Sequence, residues 1–428
     1  MPLNSPLFPC GRVANMLSRR EWLCRAGSGA GMVGLASLLA EEHLLGAPFD
    51  DGSSDPVTTL QPRAGHFAAQ AKSIIWLFME GAPSAVDMFD PKPELDKRDG
   101  TRTDIQAFFG NPGPLMKSPF SFKQYGECGQ WVCDKYTNVA KHVDKMAMIK
   151  SCYSESNDHV PAIYQINSGL PRPGFPTAGA WVTYGLGSEN QNLPGYVVMG
   201  NTEGAKGGPH NWGAGFLPST FQGTLFRSQG APVLNLNRQP AMSKEDQRAQ
   251  LDLMAKLNDE HLRRHTRDAE FANRMQSFEL AFRMQKAAME VVDLNRETKQ
   301  THALYGLDNP RSRSFGSKCL MARRLVESGV RFVQVYSDGE WDAHDHLAEN
   351  HTHHCAATDV PVAGLLTDLE ARGLLDSTLV IWGGEFGRMP ISQNGKGRDH
   401  NPKGFLQWMA GAGIKGGVSY GSTDENWL

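Results

Sequence analysis

The sequence predicts an α/β layered fold with a mostly parallel central sheet and a helical insertion. Three observations carry that expectation. Continuous apolar runs recur along the chain, helical patterns separate them, and acids and histidines follow the runs without interrupting them. A run that is apolar at every position is a strand buried on both faces, the condition of a parallel sheet covered by helices.

The runs are SIIWLFM (73–79), MAMIKSCYS (146–154), GYVVMG (195–200), VRFVQVY (330–336) and STLVIWGG (377–384). Between them, Cys319 to Ser328 and Thr358 to Arg372 read as helices, and the alternation of the two patterns argues for crossover connections. From Ser243 to about Leu304 the chain turns charged and helix-forming, with Ser243 as N-cap, acids in the first turn, and Leu251, Leu253, Met254 and Leu257 as an apolar face. It sustains no heptad, so it reads as a helical insertion packed on the sheet, with methionines as core filler, in preference to a partner-binding coiled coil.

The composition is that of a globular protein. At 428 residues and 40% hydrophobic, the chain can bury a large core as one large domain with insertions or as two domains. The 43 basic and 46 acidic residues give a net charge of -3 with no basic block, which argues against nucleic acid as a partner. Seven cysteines are an odd number, and Cys128 and Cys133 form a lone C-x4-C, read as a buried thiol or a local disulfide before a zinc site.

Residues 1–47 read as a leader. Arg19 and Arg20 precede a small-residue and apolar stretch, Gly27 to Ala40, too short to span a bilayer. This resembles a twin-arginine export signal with Trp22 where Phe is more usual, and Met16 is an alternative start; the other reading is an amphipathic first helix. The expectation is an exported protein, periplasmic or in the cell envelope, that meets the twin-arginine machinery already folded. Residues 48–70 read as a linker and 71–428 as the folded domain.

In an α/β fold, ligands gather beyond the carboxyl ends of the strands. That is where the polar residues fall: Glu80 after the first run, Asp158 and His159 after the second, Asp342, His344, Asp345 and His346 in WDAHDH after the fourth, Glu385 after the fifth, with Asp399 and His400 in the loop beyond. Imidazole and carboxylate ligands without thiolates suit a divalent metal such as zinc, calcium or manganese. Glu80, Asp342, His344, His346, Glu385, Asp399 and His400 are the candidate ligands. His351, His353 and His354, just downstream, read equally as further ligands or as ordinary helix residues. Two ions about 4 Å apart could bind both the attacking and the leaving oxygen of a phosphate or sulfate ester.

Several motifs support a resemblance. The segment 358–387, ending DSTLVIWGGEFG, is similar to the helix-strand segment of sulfatases and other members of the alkaline phosphatase superfamily, whose strand ends in Asp-His-Gly where this chain has Glu385-Phe386-Gly387. FVQVYSDGEWDAHDH resembles the segment in which a strand is followed by Asp-x-x-x-His, the spacing of Asp342 and His346. Together with FMEGAPSAVDMFDPKP (78–93), GAWVTYGLGSENQNLPG (179–195) and WGGEFGRMP (382–390), these segments resemble the family of exported, sulfatase-like proteins called DUF1501, from about Lys72 onward.

The resemblance implies a metal-dependent hydrolase of sulfate or phosphate esters, acting on a small-molecule or glycan ester. It places His159, ten residues before Gly169, where such enzymes carry a Cys, Ser or Thr nucleophile. Histidine there could bind metal, act as general base with Asp158 beside it, or be phosphorylated; Ser84, Ser154 and Ser156 are nearby hydroxyls. The other functional reading is a non-catalytic periplasmic or surface binding protein that keeps the fold. The resemblance also implies a His-containing helix beyond Leu428 that supplies a late metal ligand, so either the chain reads as C-terminally truncated or its site lacks that ligand.

Overall fold

The computed structural model describes residues 59–425 except 105–106, 108–110, 201–204, 228–232, 235, 237, 239–241 and 265–268. The leader expected over 1–47, with Cys10 and Cys24, and most of the expected linker lie outside the described residues.

All five apolar runs are strands of one eight-stranded sheet. They are β1 (Ser73–Phe78), β4 (Met146–Cys152), β5 (Tyr196–Gly200), β7 (Phe332–Tyr336) and β8 (Thr378–Gly383). The sheet gains β6 (Thr224–Arg227), β11 (Phe405–Ala410) and β12 (Val418–Tyr420), and its order is β12-β4-β11-β8-β1-β7-β5-β6. β1 lies between β7 and β8, parallel to both, with Phe78 level with Tyr336 and Gly383. β11 is antiparallel to β4 and to β8, so β4 runs with β8 and all five predicted strands end on the same edge. That common edge is why residues following four separate strands can meet.

Each face of the sheet is covered, which explains the unbroken apolar runs. Ile75, Leu77, Val333, Val335, Val380 and Trp382 enter a core shared with the Arg313–Glu327 and Leu347–Ala371 helices. The alternate residues Trp76, Phe78, Phe332 and Tyr336 enter a second core with Ile163 and Ile166 of the His159–Ser168 helix. Alternation along β1 thus fills two cores from one strand.

The insertion is a pair of helices, Lys244–Arg264 and Ala269–Val292. Leu280, Met284, Ala288 and Val291 of the second helix join the core, and that helix packs mainly on the Ser219–Phe221 turn and the Arg313–Glu327 helix. Of the expected apolar face only Leu251 is buried; Leu253, Met254 and Leu257 are exposed. The first helix has the second as its main neighbour and needs only a narrow stripe to meet it. None of the helices described is long and apolar enough to cross a membrane.

Two substitutions test this packing. Leu365→Ala, at a fully buried site beneath the sheet, should cost about 2–5 kcal/mol in denaturant unfolding, while Leu253→Ala should stay within about 0.5 kcal/mol. A large cost at Leu253 would mean that the insertion is packed differently.

Candidate functional site

Beyond the edge where the five strands end, β1 continues into Gly81 and Ala82, both with positive φ (94° and 62°). A Cβ on Gly81 would come within 2.6 Å of Trp341 N and 2.7 Å of Asp342 N, so glycine is what lets the loop after β7 close over the end of β1. From the other side, Gly397 lies against the backbone of His344, where a Cβ would fall 2.2 Å from its carbonyl carbon. Those two approaches set Asp342 and His344 between the end of β1 and the loop that leads to Arg398 and Asp399.

His159 is the first residue of a helix capped by Asp158, whose Oδ1 accepts from Val160 N at 3.0 Å, and closed by Gly169 in the left-handed region. Asp158 is exposed and engaged in capping; it takes no part in the cluster around His159. The His159 ring is buried, with Nδ1 2.5 Å from Glu385 Oε1 and Nε2 3.1 Å from Asp342 Oδ2, in ion-pair contact but off the line of a hydrogen bond. Glu385 Oε1 also accepts from Gly81 N at 3.0 Å, whereas its buried Oε2 has no hydrogen-bond partner.

His400 comes from the short hairpin of β9 (Gly387–Arg388) and β10 (His400–Asn401). Its Nδ1 is 2.6 Å from the Asn157 carbonyl, which can only accept, so Nδ1 carries the proton and Nε2 carries the lone pair. That Nε2 is 3.5 Å from Asp342 Oδ1 and 2.9 Å from His344 Nε2. His344 Nε2 is 3.2 Å from Asp342 Oδ1 and its Nδ1 3.5 Å from Asp399 Oδ1. Two triads therefore have ligand atoms within 4.8 Å of one another: His159, Asp342 and His400, and His344, Asp399 and His400.

The electrostatics follow from burial against these partners. Burial pushes the Asp342 carboxyl up, but His159, His344, His400 and the Arg388 guanidinium outweigh it and hold it far below the usual carboxylate range. Burial presses His159 down, yet the carboxylates of Asp342 and Glu385 leave it above its ordinary value. For His400 burial wins, aided by Arg388 and His159, and its pKa is lowered.

Not every expected ligand joins. His346 has a 70% exposed side chain, a left-handed backbone, and Asp345 as its ion-pair partner at 3.6 Å. Glu80 is buried, but its Oε1 accepts from Lys206 N at 2.5 Å and it lies in neither triad. Glu385 stands behind His159, as the acceptor of its Nδ1 proton. His351 and His354 are buried against Trp341, where burial takes them down to about 3 and about 4.

Arg388 is a residue that sequence reasoning missed. Fully buried, it donates from Nη2 to Asp342 Oδ1 at 2.7 Å and to the Gly81 carbonyl, from Nε to the Ala82 carbonyl at 3.0 Å, and from Nη1 to the Arg398 carbonyl at 3.2 Å. Its signal was faint: an arginine five residues past the end of β8, inside WGGEFGRMP. The nearby hydroxyls are engaged elsewhere, Ser84 with Asp87, Ser154 with Gln165 and Ser156 with the Asp158 carbonyl.

Comparison with known proteins adds a family and a fold likeness. Residues 71–426 match the family model described as "Protein of unknown function (DUF1501)". None of the curated proteins matches the chain in sequence. Among solved structures it is similar to the alkaline phosphatase from the Antarctic bacterium TAB5, with 10% identity, 83% of this chain and 96% of that chain covered, and a TM-score of 0.34. It is also similar to PsFucS1 sulfatase from Pseudoalteromonas sp., with 13% identity, 83% and 65% covered, and a TM-score of 0.32. The phosphonate monoester hydrolase of Agrobacterium radiobacter gives 10% identity, 81% and 70% covered, and a TM-score of 0.31.

Glu80 gives the site a pH dependence that can be read directly. Burial raises its pKa to about 7, with the Lys206 amide opposing and the Glu385 charge adding to the rise. The folded pKa lies above the unfolded value, so this stabilisation is complete below about pH 4.5 and is lost as pH rises through about 7. In metal-free protein, Glu80→Gln should therefore gain on the wild type between pH 5 and 8, by up to about 3 kcal/mol in denaturant unfolding. Parallel stability curves would contradict it.

Proposed function

The chain belongs to the DUF1501 family, and on that premise we propose that it is an exported hydrolase of sulfate or phosphate esters that works with one divalent metal ion. The single observation that carries this reading is the pair of oriented imidazoles. His159 and His400 each give Nδ1 to an acceptor, a carboxylate and a carbonyl, and turn Nε2 toward the Asp342 carboxylate. A metal-binding histidine is held in the same way, with its second nitrogen bonded to a carboxylate or a carbonyl.

The donor set fits a divalent ion. Two imidazoles and one carboxylate suit zinc or manganese, and His159 Nε2 and Glu385 Oε2 are buried polar atoms without hydrogen-bond partners. With Nδ1 committed to Asn157, His400 has one lone pair to offer, and both triads use His400. That favours one ion over two. His159 Nε2, His400 Nε2 and Asp342 would hold it. When bound, a divalent ion supplies Lewis acidity, polarising an ester oxygen and lowering the pKa of water toward neutrality.

The chain's own residues do the rest. Glu385 accepts the hydrogen bond of His159 Nδ1 and fixes the ring; Arg388 neutralises one oxygen of Asp342 and leaves the other toward His159. Binding of a cation displaces the proton from His159 Nε2, so uptake falls as pH drops below the raised pKa of that ring. His344, 32% exposed at the mouth of the cluster, is placed to carry a proton to the leaving oxygen. His159 Nε2 faces Asp342, and the hydroxyls of Ser84, Ser154 and Ser156 are engaged, so water is favoured as nucleophile over a covalent route. Export is proposed from the Arg19-Arg20 segment, and a glycan or other small ester as substrate from the family resemblance.

The second reading, a binding protein that keeps the site without turnover, is favoured by His159 standing where a hydroxyl or thiol nucleophile is expected. Nitrophenyl sulfate and phosphate turnover, read beside metal content, separates the two. The hydrolase reading expects nitrophenol release by protein loaded with zinc or manganese. Glu385→Gln should weaken metal affinity about 10- to 100-fold, and His346→Ala should change neither readout. Full metal occupancy without cleavage of these or a wider ester panel would leave the binding protein.

A further inference from the structure

Five cysteines lie among the described residues, and two of them meet. Cys133 ends β3 (Gln130–Cys133), the inner strand of a hairpin with β2 (Phe122–Tyr125), and Cys355 lies on the Leu347–Ala371 helix. Both are fully buried in the same core, where burial raises the Cys355 thiol's pKa and the Cys133 thiol, a near neighbour, adds to the rise.

That contact is one of three rungs between the same two segments. Three residues beyond each cysteine, Tyr136 Oη donates to Thr358 Oγ1 at 3.2 Å, at the same separation of 222 residues. One residue further along the helix, the Asp359 carboxylate accepts from Asn138 N at 3.0 Å and Val139 N at 2.8 Å, binding the start of the 3-10 turn that follows the hairpin. The register of Cys133 against Cys355 is therefore fixed by bonds that do not involve sulfur. Of the two readings of Cys128 and Cys133, a buried thiol or a local disulfide, the geometry favours the first, since Cys128 is exposed and Cys133 is buried in the core.

We propose that Cys133 and Cys355 are the two halves of a structural disulfide, closed by thiol–disulfide exchange with a disulfide-bonded oxidant such as oxidised glutathione. One thiolate attacks the oxidant's disulfide and displaces a thiol; the second thiolate attacks the resulting mixed disulfide and displaces the other. Two protons and two electrons leave the cysteine pair, one S–S bond forms in the chain, and the oxidant ends as two thiols. Burial pushes the Cys355 thiol well up, so exchange requires local opening of the core or occurs before it closes. Once formed, the bond ties the hairpin to the helix that begins directly after the Asp342–His346 loop, and it closes a very long loop of the unfolded chain.

The test incubates the full chain with oxidised glutathione in urea just below its unfolding transition, removes both, and maps a non-reducing digest by mass spectrometry. The expected result is a Cys133–Cys355 peptide pair two hydrogens lighter than its reduced parts, together with a thermal midpoint several degrees above that of the reduced protein. Cys355→Ala and Cys133→Ser should abolish both effects, while Cys319→Ser, elsewhere in the core, should keep them. Full alkylation of Cys133 and Cys355 after oxidation, or a Cys128–Cys133 link in their place, overturns the proposal.

Discussion

The buried guanidinium of Arg388 is the interaction on which the candidate site depends. A charge moved from water into a protein interior costs several kcal/mol unless its donors and its charge are met. Here they are met by the Gly81, Ala82 and Arg398 carbonyls and by the Asp342 carboxylate, which come from three different loops. One side chain thus holds the ends of β1 and β7 and the β9–β10 hairpin in fixed relation. The same contact joins His159, His344 and His400 in keeping Asp342 ionised at a partly buried position, with one oxygen left to face His159.

Around that anchor the site is built in two layers. Glu385 and the Asn157 carbonyl touch only the outward nitrogens of His159 and His400, yet they decide which nitrogen carries the lone pair. A carboxylate behind one ring and a carbonyl behind the other make both rings point the same way. The buried Asp87, which accepts from Arg398 and Ser84, serves the same end one step further out, by holding the residue that lends Arg388 a carbonyl.

Much of the fold was legible because burial on two faces leaves a plain mark. Runs such as SIIWLFM have no polar alternation, and all five such runs are strands ending on one edge. β11 left a weaker mark: Gln407 breaks its run, and as the strand that runs against its neighbours it has no crossover helix pattern to announce it. In the insertion, spacing marked an apolar face but could not say how wide a stripe a lone neighbouring helix would cover, and Leu253, Met254 and Leu257 stayed exposed. For the site, position after a strand identified His159, Asp342, His344, Asp399 and His400 as neighbours. It could not separate them from His346, one residue before the long helix, whose left-handed backbone turns it to solvent. Nor could spacing distinguish a ligand from the acceptor behind it, as with Glu385, because that distinction lies in which imidazole nitrogen is touched.

The central claim is that one divalent ion lies between His159 Nε2, His400 Nε2 and Asp342. Crystals of the full chain grown with zinc, measured on both sides of the zinc absorption edge, test it most directly. The account predicts one anomalous peak about 2.0–2.2 Å from each of the three. An empty cluster in zinc-saturated crystals, or zinc bound instead at Asp345 and His346, would contradict it.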